Sequence, residues 1–381
     1  MNYNIKILQF GKYYPPTIGG MEKIICLITE GLNKKNNIQC DVLCSNDKKS
    51  YEESEYDNYI VYRTKTYGKL FSTSLSPQFI RKYKELKDKY DIIHLHHPDP
   101  LAILTLFFVR PKNEKIIIHY HSDILKQKLA LWFLNPFLKW GFKKSDQIIA
   151  TSPKYIEGSS LLKKYRKKVQ YIPLGIPADG LYVDKTIAES IKKQYSNKKI
   201  IFSLGRLIYY KGFKYLIDAA NYLDDSFIIF IGGAGKLEQE LQQQIDVNKL
   251  NNKVKLLGKL SDHELASFYK YCDVYCMPSI VKTEAFGVVL LEAMSFGKPI
   301  VATNIPGSGV SWVNAHNETG INVEPKNSKG LADAIKYICD NEEIYDKFSR
   351  NALKRFKGKF TDDKMVNSFI EVYKDQLYCE K

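Results

Sequence analysis

The chain has 381 residues, of which 44% are hydrophobic and 26% charged, and its formal net charge is +15. This length suits two domains, and the composition is typical of a globular protein. Because no stretch of about 18 uninterrupted apolar residues occurs and the first residues lack the apolar core of a signal peptide, we expect neither a membrane span nor secretion.

Cysteine usage indicates a reducing compartment. The seven cysteines are an odd number, and neither Cys-x3-Cys pair is followed by histidines at zinc-finger spacing. We therefore expect free thiols in a cytosolic protein, with no metal site.

The positive charge is concentrated in the N-terminal half. Residues 1–180 carry 29 − 17 = +12, and residues 181–381 carry 28 − 25 = +3. A nucleic acid, an anionic membrane surface or a diphosphate-bearing lipid could each bind a basic half, and a lysine-rich composition without a partner is the alternative.

The first predicted element is a buried strand over Ile5 to Phe10. A loop ending in Gly19-Gly20 follows, and then a helix over Met21 to Leu32. A strand, a glycine turn and a helix allow a phosphate to approach the backbone. A tight turn that merely needs glycine explains the pattern equally well.

The rest of this half alternates between apolar and polar segments. We predict strands at 39–44, 91–96, 115–119, 147–151 and 169–172, a surface loop at 46–57 and a lysine-rich helix at 77–90. His121 follows the 115–119 strand, and ligands bind at the carboxyl ends of parallel strands. A lone histidine is more often structural or on the surface, and that alternative stays open at this point. His94, His96, His97 and His119 are interpreted as structural.

Residues 124–144 interleave aromatic and leucine side chains with lysines, and Pro136 lies within the run. This pattern is typical of an interfacial helix on an anionic bilayer. Two helices packed on the sheet, broken at Pro136 and with lysines in water, fit it equally well.

The second half restarts the alternation after the linker 173–177. We predict strands at 199–204, 227–231, 254–257, 274–277 and 299–302, and helices at 213–223, 236–247, 331–339, 344–356 and 365–377. Alternation in both halves predicts two doubly wound α/β domains. Gly205-Arg206 and Lys211 follow the first of these strands and could neutralise a diphosphate, or be a solvated surface pair. The second strand ends at Gly232-Gly233.

The most informative stretch is Lys282-Thr283-Glu284-Ala285-Phe286-Gly287-Val288-Val289-Leu290-Leu291-Glu292-Ala293-Met294. Glu284 is expected on a loop and Glu292 on the helix that follows. Gly287 allows close approach to the backbone, and the helix N-terminus offers free N–H groups to a diphosphate.

This stretch, with its Glu-x7-Glu spacing, resembles the retaining family 4 glycosyltransferases of GT-B fold. Gly-Gly-Met-Glu, His-Tyr-His-Ser-Asp and Gly-Arg…Lys-Gly are also similar to strings of that family. The resemblance implies two Rossmann-like domains facing a central cleft. Residues 1–175 would bind the acceptor and 176–361 the nucleotide sugar, with helix 362–381 packing back on the first domain.

The resemblance also implies roles for single residues. His121, Arg206, Lys211 and Glu284 would be catalytic, and Glu292 would bind the ribose. The other donor-binding residues would be Gly19, Gly20, Gly205, Gly233, Phe286, Gly287 and Val288.

The implied reaction needs no cofactor. Because the chain contains no Asp-x-Asp, we expect no metal ion. The strings Tyr-His-Ser-Asp-Ile-Leu-Lys-Gln-Lys and Tyr-Tyr-Lys-Gly look most like enzymes of bacterial O-antigen and capsule synthesis. The expected partners are a nucleotide sugar (GDP-mannose or a UDP-hexose), an undecaprenyl-diphosphate-linked or other saccharide acceptor, and the inner face of the plasma membrane.

Other classes fit less well. A nucleotide-sugar epimerase of the same architecture would not need the two glutamates, and a phosphorylase would need a much longer chain. A noncatalytic nucleotide- or membrane-binding protein would explain the basic half but not the acids, the cations and His121 together. No aromatic-basic nucleic-acid motif occurs, so nucleic acid is not an expected partner.

Overall fold

The computed structural model describes residues 4–17, 19–70, 73–124 and 128–378; within 128–133, only the Trp132 side chain is described. The chain divides into two compact units. One contains the chain up to Gly175 together with the segment from Asp362 onward, and the other contains Ile176–Thr361.

The first unit is built on an eight-stranded sheet with the order β10-β9-β8-β7-β1-β2-β4-β3. All neighbouring strands are parallel except β3 and β4. Apolar runs make the central strands, as in sheets covered on both faces. The strands are β1 (Ile5–Gly11), β2 (Ile38–Ser45), β3 (Glu52–Tyr56), β4 (Tyr59–Thr64), the small hairpin β5 (Lys69–Leu70) and β6 (Thr73–Ser74), β7 (Ile92–His97), β8 (Lys115–Tyr120), β9 (Gln147–Ala150) and β10 (Val169–Tyr171).

Helices connect these strands. They are α1 (Gly20–Asn33), α2 (Pro77–Leu86), α3 (Pro100–Phe108), α4 (Lys128–Lys144), α5 (Pro153–Gly158) and α6 (Ser160–Lys164), with 3-10 turns at Lys87–Lys89 and Arg166–Lys168.

The second unit has a six-stranded, wholly parallel sheet with the order β13-β12-β11-β14-β15-β16. Its strands are β11 (Lys199–Leu204), β12 (Phe227–Gly232), β13 (Val254–Gly258), β14 (Val274–Met277), β15 (Ile300–Thr303) and β16 (Gly320–Val323). Its helices are α7 (Lys185–Gln194), α8 (Phe213–Ala219), α9 (Glu238–Val247), α10 (Asp262–Tyr271), α11 (Val288–Ser295), α12 (Val310–Val313), α13 (Ser328–Cys339) and α14 (Glu342–Lys359), with 3-10 turns at Tyr209–Lys211 and Ala220–Tyr222.

The last helix, α15 (Asp362–Tyr378), packs against α1 of the first unit. Gly31 of α1 makes room for it, because a Cβ there would lie 2.5 Å from Cγ2 of Val366. The two doubly wound sheets confirm the predicted fold class.

Two predicted segments differ from the structure. The expected surface loop at 46–57 contains β3, which pairs antiparallel with β4 at the sheet edge. The run at 124–144 forms one helix from Lys128 that continues through Pro136 rather than two helices; Leu125, Lys126 and Gln127 lie outside the described residues. Among the described residues, no helix is both long and apolar enough to cross a membrane.

Candidate active site

A buried ion pair lies at the carboxyl edge of the second sheet. Nζ of Lys211 is 2.6 Å from Oε2 of Glu284, and each side chain is 11% exposed. Lys211 ends the 3-10 turn after β11, and Glu284 lies in the loop between β14 and α11. The two loops meet at Gly212, where φ is +69° and a Cβ would stand 2.1 Å from the carbonyl oxygen of Pro278.

Short-range hydrogen bonds fix Glu284 in place. Its Oε2 also accepts from Oγ of Ser279 at 3.0 Å, and its backbone carbonyl accepts from Oγ of Ser308. Its own N–H donates to the carbonyl of Val281 at 2.9 Å. The bonds of these two serines to Glu284 were not predicted, because single serines carry no periodic or motif signal. The carboxylate is therefore preorganised before any ligand binds.

The charges of this pair compensate one another. Burial acts to lower the pKa of Lys211, but the opposing charge and hydrogen bond of Glu284 outweigh it, so the pKa is raised. The lysine therefore stays protonated at neutral pH. Removing one partner would leave the other as an unpaired buried charge, which typically costs about 3–5 kcal/mol.

Glycines bring neighbouring loops into backbone contact beside the pair. Gly233 has φ of +124°, and a Cβ there would lie 2.0 Å from the carbonyl oxygen of Gly205. A Cβ on Gly205 would in turn lie 3.1 Å from Cε of Lys211. Arg206 is exposed, and its Nη2 donates to Oη of Tyr210 at 3.3 Å. The close backbone contact of Gly205 and Gly233 is called the glycine floor below. The buried cation Lys211 and the exposed cation Arg206 lie on either side of it in the loop after β11.

The segment from Phe286 to Val288 forms the turn that leads into α11. The Phe286 ring packs against Trp312 and Phe360, with centroids 6.4 and 6.1 Å away, and so anchors the loop. Gly287, at φ +82°, is the N-cap of α11, and Val288 is its first residue. The free N–H groups of this helix start immediately after the loop that carries Glu284.

Glu292 is buried on α11 at 6% exposure, and Oη of Tyr269 donates to its Oε2 at 3.0 Å. Burial, followed by the charge of Glu292, raises the pKa of Tyr269 well above its usual value, so the phenol remains a donor. Tyr269 lies on α10 and was missed, because nothing in the sequence links the two helices. Tyr269 thus holds the Glu292 carboxylate in place on α11.

The remaining predicted residues lie in the first unit. His121 follows β8, and its Nε2 lies 2.9 Å from Nδ1 of His96. Burial, followed by the charge of His97, lowers the pKa of His121 to about 3, so the imidazole is neutral. Gly19 and Gly20 open α1, and a Cβ on Gly20 would meet no described atom within 4 Å. Packing among the described residues therefore does not require a glycine at position 20.

A group of three buried histidines has the composition of a metal site. Ligand nitrogens of His94, His96 and His119 lie within 4.8 Å of one another. The rings of His94 and His96 stack at 4.6 Å with 13° between their planes, and both nitrogens of His96 are hydrogen-bonded. Because an ion must lie near the plane of each imidazole, these rings do not fit a shared metal as they stand.

Comparison with known protein families covers nearly all of the chain. Residues 18–179 match the family model described as Glycosyltransferase Family 4, and residues 184–355 match that described as Glycosyl transferases group 1.

Two characterised relatives match over most of their length. The O-antigen chain mannosyltransferase C of Escherichia coli is 31% identical over 361 residues, which cover 95% of each chain. The D-rhamnosyltransferase WbpZ of Pseudomonas aeruginosa is 29% identical and covers 94% of this chain and 92% of its own.

Solved structures share the fold. Sucrose-phosphate synthase from Thermosynechococcus elongatus superposes with a TM-score of 0.82 at 19% identity, covering 99% of this chain and 100% of the other. Anabaena HepE in complex with UDP and glucose superposes with a TM-score of 0.75 at 21% identity, covering 97% and 99%.

Proposed function

The chain belongs to the family 4 (group 1) glycosyltransferases, has the GT-B fold, and, we propose, transfers a hexose from a nucleotide sugar to a lipid-linked saccharide with retention of anomeric configuration. The observation that carries this proposal is the buried pair of Lys211 and Glu284 on a glycine floor at the ends of β11, β12 and β14.

Sugar transfer requires stabilisation of the departing diphosphate. Lys211, held protonated and largely out of water, and the exposed Arg206 provide positive charge on one side of the glycine floor. The N–H groups at the start of α11 provide further donors. Preorganised charge of this kind commonly supplies the largest part of catalysis. We propose that these groups do this without a metal ion, since the sequence offers no Asp-x-Asp to hold one.

The remaining polar groups then recognise neutral parts of the donor. Glu284 accepts hydrogen bonds from sugar hydroxyls while its other contacts hold it rigid, and Glu292, anchored by Tyr269, accepts from the ribose hydroxyls. We also propose that His121 contacts the donor sugar, as the resemblance of His-Tyr-His-Ser-Asp to the family string implies. None of these residues acts as a nucleophile, and retention results from attack on the same face, assisted by the leaving phosphate.

We propose GDP-mannose as the donor and a lipid-linked saccharide of bacterial surface polysaccharide as the acceptor. The names of the two relatives, an O-antigen mannosyltransferase and a D-rhamnosyltransferase, support this choice. A UDP-hexose or UDP-N-acetylhexosamine is the second candidate, and the UDP complex of HepE supports it.

A thermal-shift panel with GDP, UDP, ADP, dTDP and CMP tests the donor. We expect GDP alone to raise the melting temperature of the wild type, and Glu292→Ala to abolish the shift. Glu343→Ala, which removes an exposed glutamate of α14, is the matched control and should keep it. A shift with UDP alone would replace the donor and keep the mechanism, whereas no shift with any nucleotide would refute the proposal.

We further propose that α4 docks on an anionic membrane surface, where a lipid-linked acceptor resides. Trp132 on α4 is 73% exposed, and Phe108 at the end of the neighbouring α3 is 64% exposed. Exposed lysines follow on α4, namely Lys139, Lys143 and Lys144. Aromatic and basic side chains together favour an anionic interface.

Flotation with vesicles of phosphatidylcholine and phosphatidylglycerol tests this docking. Alanine at Lys139, Lys143 and Lys144 should remove most of the vesicle-bound fraction. Alanine at three other exposed lysines of the same unit, Lys34, Lys84 and Lys89, removes equal charge and should not. Equal flotation of both triple variants would contradict the proposal.

A further inference from the structure

A chain of buried hydrogen bonds leads to His121 from the interior of the first unit. Oε1 of Gln9 lies 2.6 Å from Nε2 of His96, and Nδ1 of His96 lies 2.9 Å from Nε2 of His121. Gln9 and His96 are fully buried, whereas His121 keeps 8% of its surface exposed. These hydrogen bonds therefore lead from the core to His121, the one of the three residues that reaches the surface.

The start of this chain fixes the orientation of the Gln9 amide. Oγ1 of Thr29 uses its single proton to donate to the carbonyl of Ile25 at 2.8 Å. It can therefore only accept from Gln9, whose Nε2 lies 2.8 Å away. The oxygen of the Gln9 amide then faces His96, because the nitrogen is already committed to Thr29.

This orientation determines each proton further along. A glutamine oxygen only accepts, so Nε2 of His96 carries a hydrogen and Nδ1 of the same neutral ring does not. A bare Nδ1 only accepts, so Nε2 of His121 carries the hydrogen between the two rings. In a neutral imidazole that leaves Nδ1 of His121 bare. The centroids of the His96 and His121 rings are 5.2 Å apart and their planes differ by 19°, so the rings lie nearly edge to edge, as a hydrogen bond in the plane of both rings requires.

We propose that Gln9 and His96 are positioning residues that hold His121 in its Nε2-protonated tautomer, so that Nδ1 accepts a hydrogen bond from a hydroxyl of the transferred sugar. This inference rests on the proposed contact between His121 and the donor sugar. A sugar hydroxyl can either donate or accept a hydrogen bond. In the relay formed by Gln9, His96 and His121, Nδ1 of His121 carries no hydrogen, so the hydroxyl must donate. His121 is thereby an acceptor for the sugar and adds no positive charge beside it.

The tautomer can be measured without an assay of activity. In protein labelled with 15N-histidine, long-range proton–nitrogen spectra distinguish a protonated nitrogen from a bare one. We expect His121 to show Nε2 protonated and Nδ1 bare in the wild type. Both His96→Leu and Gln9→Met should shift it toward a mixture of tautomers, and His96→Asn, which can restore an acceptor near the position of Nδ1, should recover the wild-type pattern.

Kinetics provide the second readout. Loss of the relay should reduce kcat/KM for the donor by about 3- to 10-fold, the effect of one hydrogen bond, and His96→Asn should regain part of it. The matched control is His94→Phe. His94 is as buried as His96, and the substitution removes its hydrogen bond with Oη of Tyr373. Because His94 lies outside the relay, His94→Phe should leave the tautomer of His121 and kcat/KM as in the wild type.

The outcomes separate this inference from the proposed function. A wild-type His121 protonated at Nδ1, or normal kcat/KM in His96→Leu, overturns the relay while transfer stands. Tight binding of one equivalent of Co2+ by the purified protein, lost in His119→Phe, would also overturn it, because His96 would then be a ligand. Failure of the wild type to bind any nucleotide refutes the proposed function, and the tautomer measurement remains decisive for the relay.

Discussion

Acid should unfold the first unit steeply, because all five of its histidines are buried and neutral. Burial is the first cause in each case and lowers the pKa of His94 and His121 to about 3 and that of His97 to about 4; it also lowers the pKa of His96 and His119 well below 6.5. The unfolded chain binds these protons near pH 6.5 and the folded unit does not. The stabilisation is therefore complete above pH 6.5 and is lost as the pH falls toward the folded values.

The size of the effect follows from proton counting. Each proton bound only by the unfolded state changes the free energy of unfolding by 1.36 kcal/mol per pH unit. The proton uptake of the five histidines on unfolding is partly cancelled by two buried carboxyl groups that bind protons in the folded state. Burial raises the pKa of Asp99 to about 6 and also raises the pKa of Asp41. A net uptake of roughly three to four protons gives about 4–5 kcal/mol per pH unit between pH 6 and 5. That is a large part of the stability of an ordinary domain.

Urea unfolding measured by tryptophan fluorescence between pH 5 and 8 tests this slope, which is read between pH 6 and 5. The chain has three tryptophans, and Trp312→Phe leaves Trp132 and Trp140, both in the first unit. His119→Phe should lower the slope by about 1.4 kcal/mol per pH unit, the value of one proton. His263→Asn, at an exposed position of the second unit, controls for loss of a histidine. A wild-type slope below that of one proton would refute the reasoning.

Three further predictions concern the second unit and the reaction. Lys211→Met should lower kcat by about two to three orders of magnitude through lost stabilisation of the leaving diphosphate; initial rates with radiolabelled donor measure this, and near wild-type turnover would remove the lysine from the mechanism. Gly233→Ala should lower the urea midpoint far more than Gly258→Ala, because both have positive φ but only position 233 places a Cβ 2.0 Å from a carbonyl oxygen; equal midpoints would contradict this. EDTA should leave transfer rates largely intact, whereas complete loss restored by Mg²⁺ would require a metal-dependent mechanism.

Sequence patterns located most of the regular elements, because buried parallel strands are continuous apolar runs and the loops between them carry glycine. The strand Val274–Met277 was predicted to the residue. The edge strand Glu52–Tyr56 was missed, since its mainly exposed side chains show no apolar alternation. Pro136 was given too much weight as a breaker, because α4 accommodates it within seventeen residues.

Sequence motifs pointed to the candidate site residues, but the partners that hold these residues in place carry no motif. Glu284, Phe286, Gly287 and Glu292 fall in one string, whereas the partners that orient them come from elsewhere. Tyr269 reaches Glu292 from a different helix. The relay through Gln9 depends on strands 87 residues apart in the chain. Partners of this kind are set by the order of strands in the sheet, which local periodicity does not encode.

The buried ion pair of the second unit is charged, whereas the buried histidines of the first unit are neutral. This difference matches the chemistry proposed for each unit. In the second unit Lys211 keeps its charge because Glu284 compensates it, as the proposed role toward a diphosphate requires. In the first unit the histidines give up their charge, and the relay settles which nitrogen of His121 is bare. A charged group suits the leaving diphosphate, and a neutral acceptor suits a sugar hydroxyl. A protonated His121 could no longer accept at Nδ1. The burial that destabilises the unit in acid therefore also keeps His121 in the neutral form that the proposed sugar contact requires.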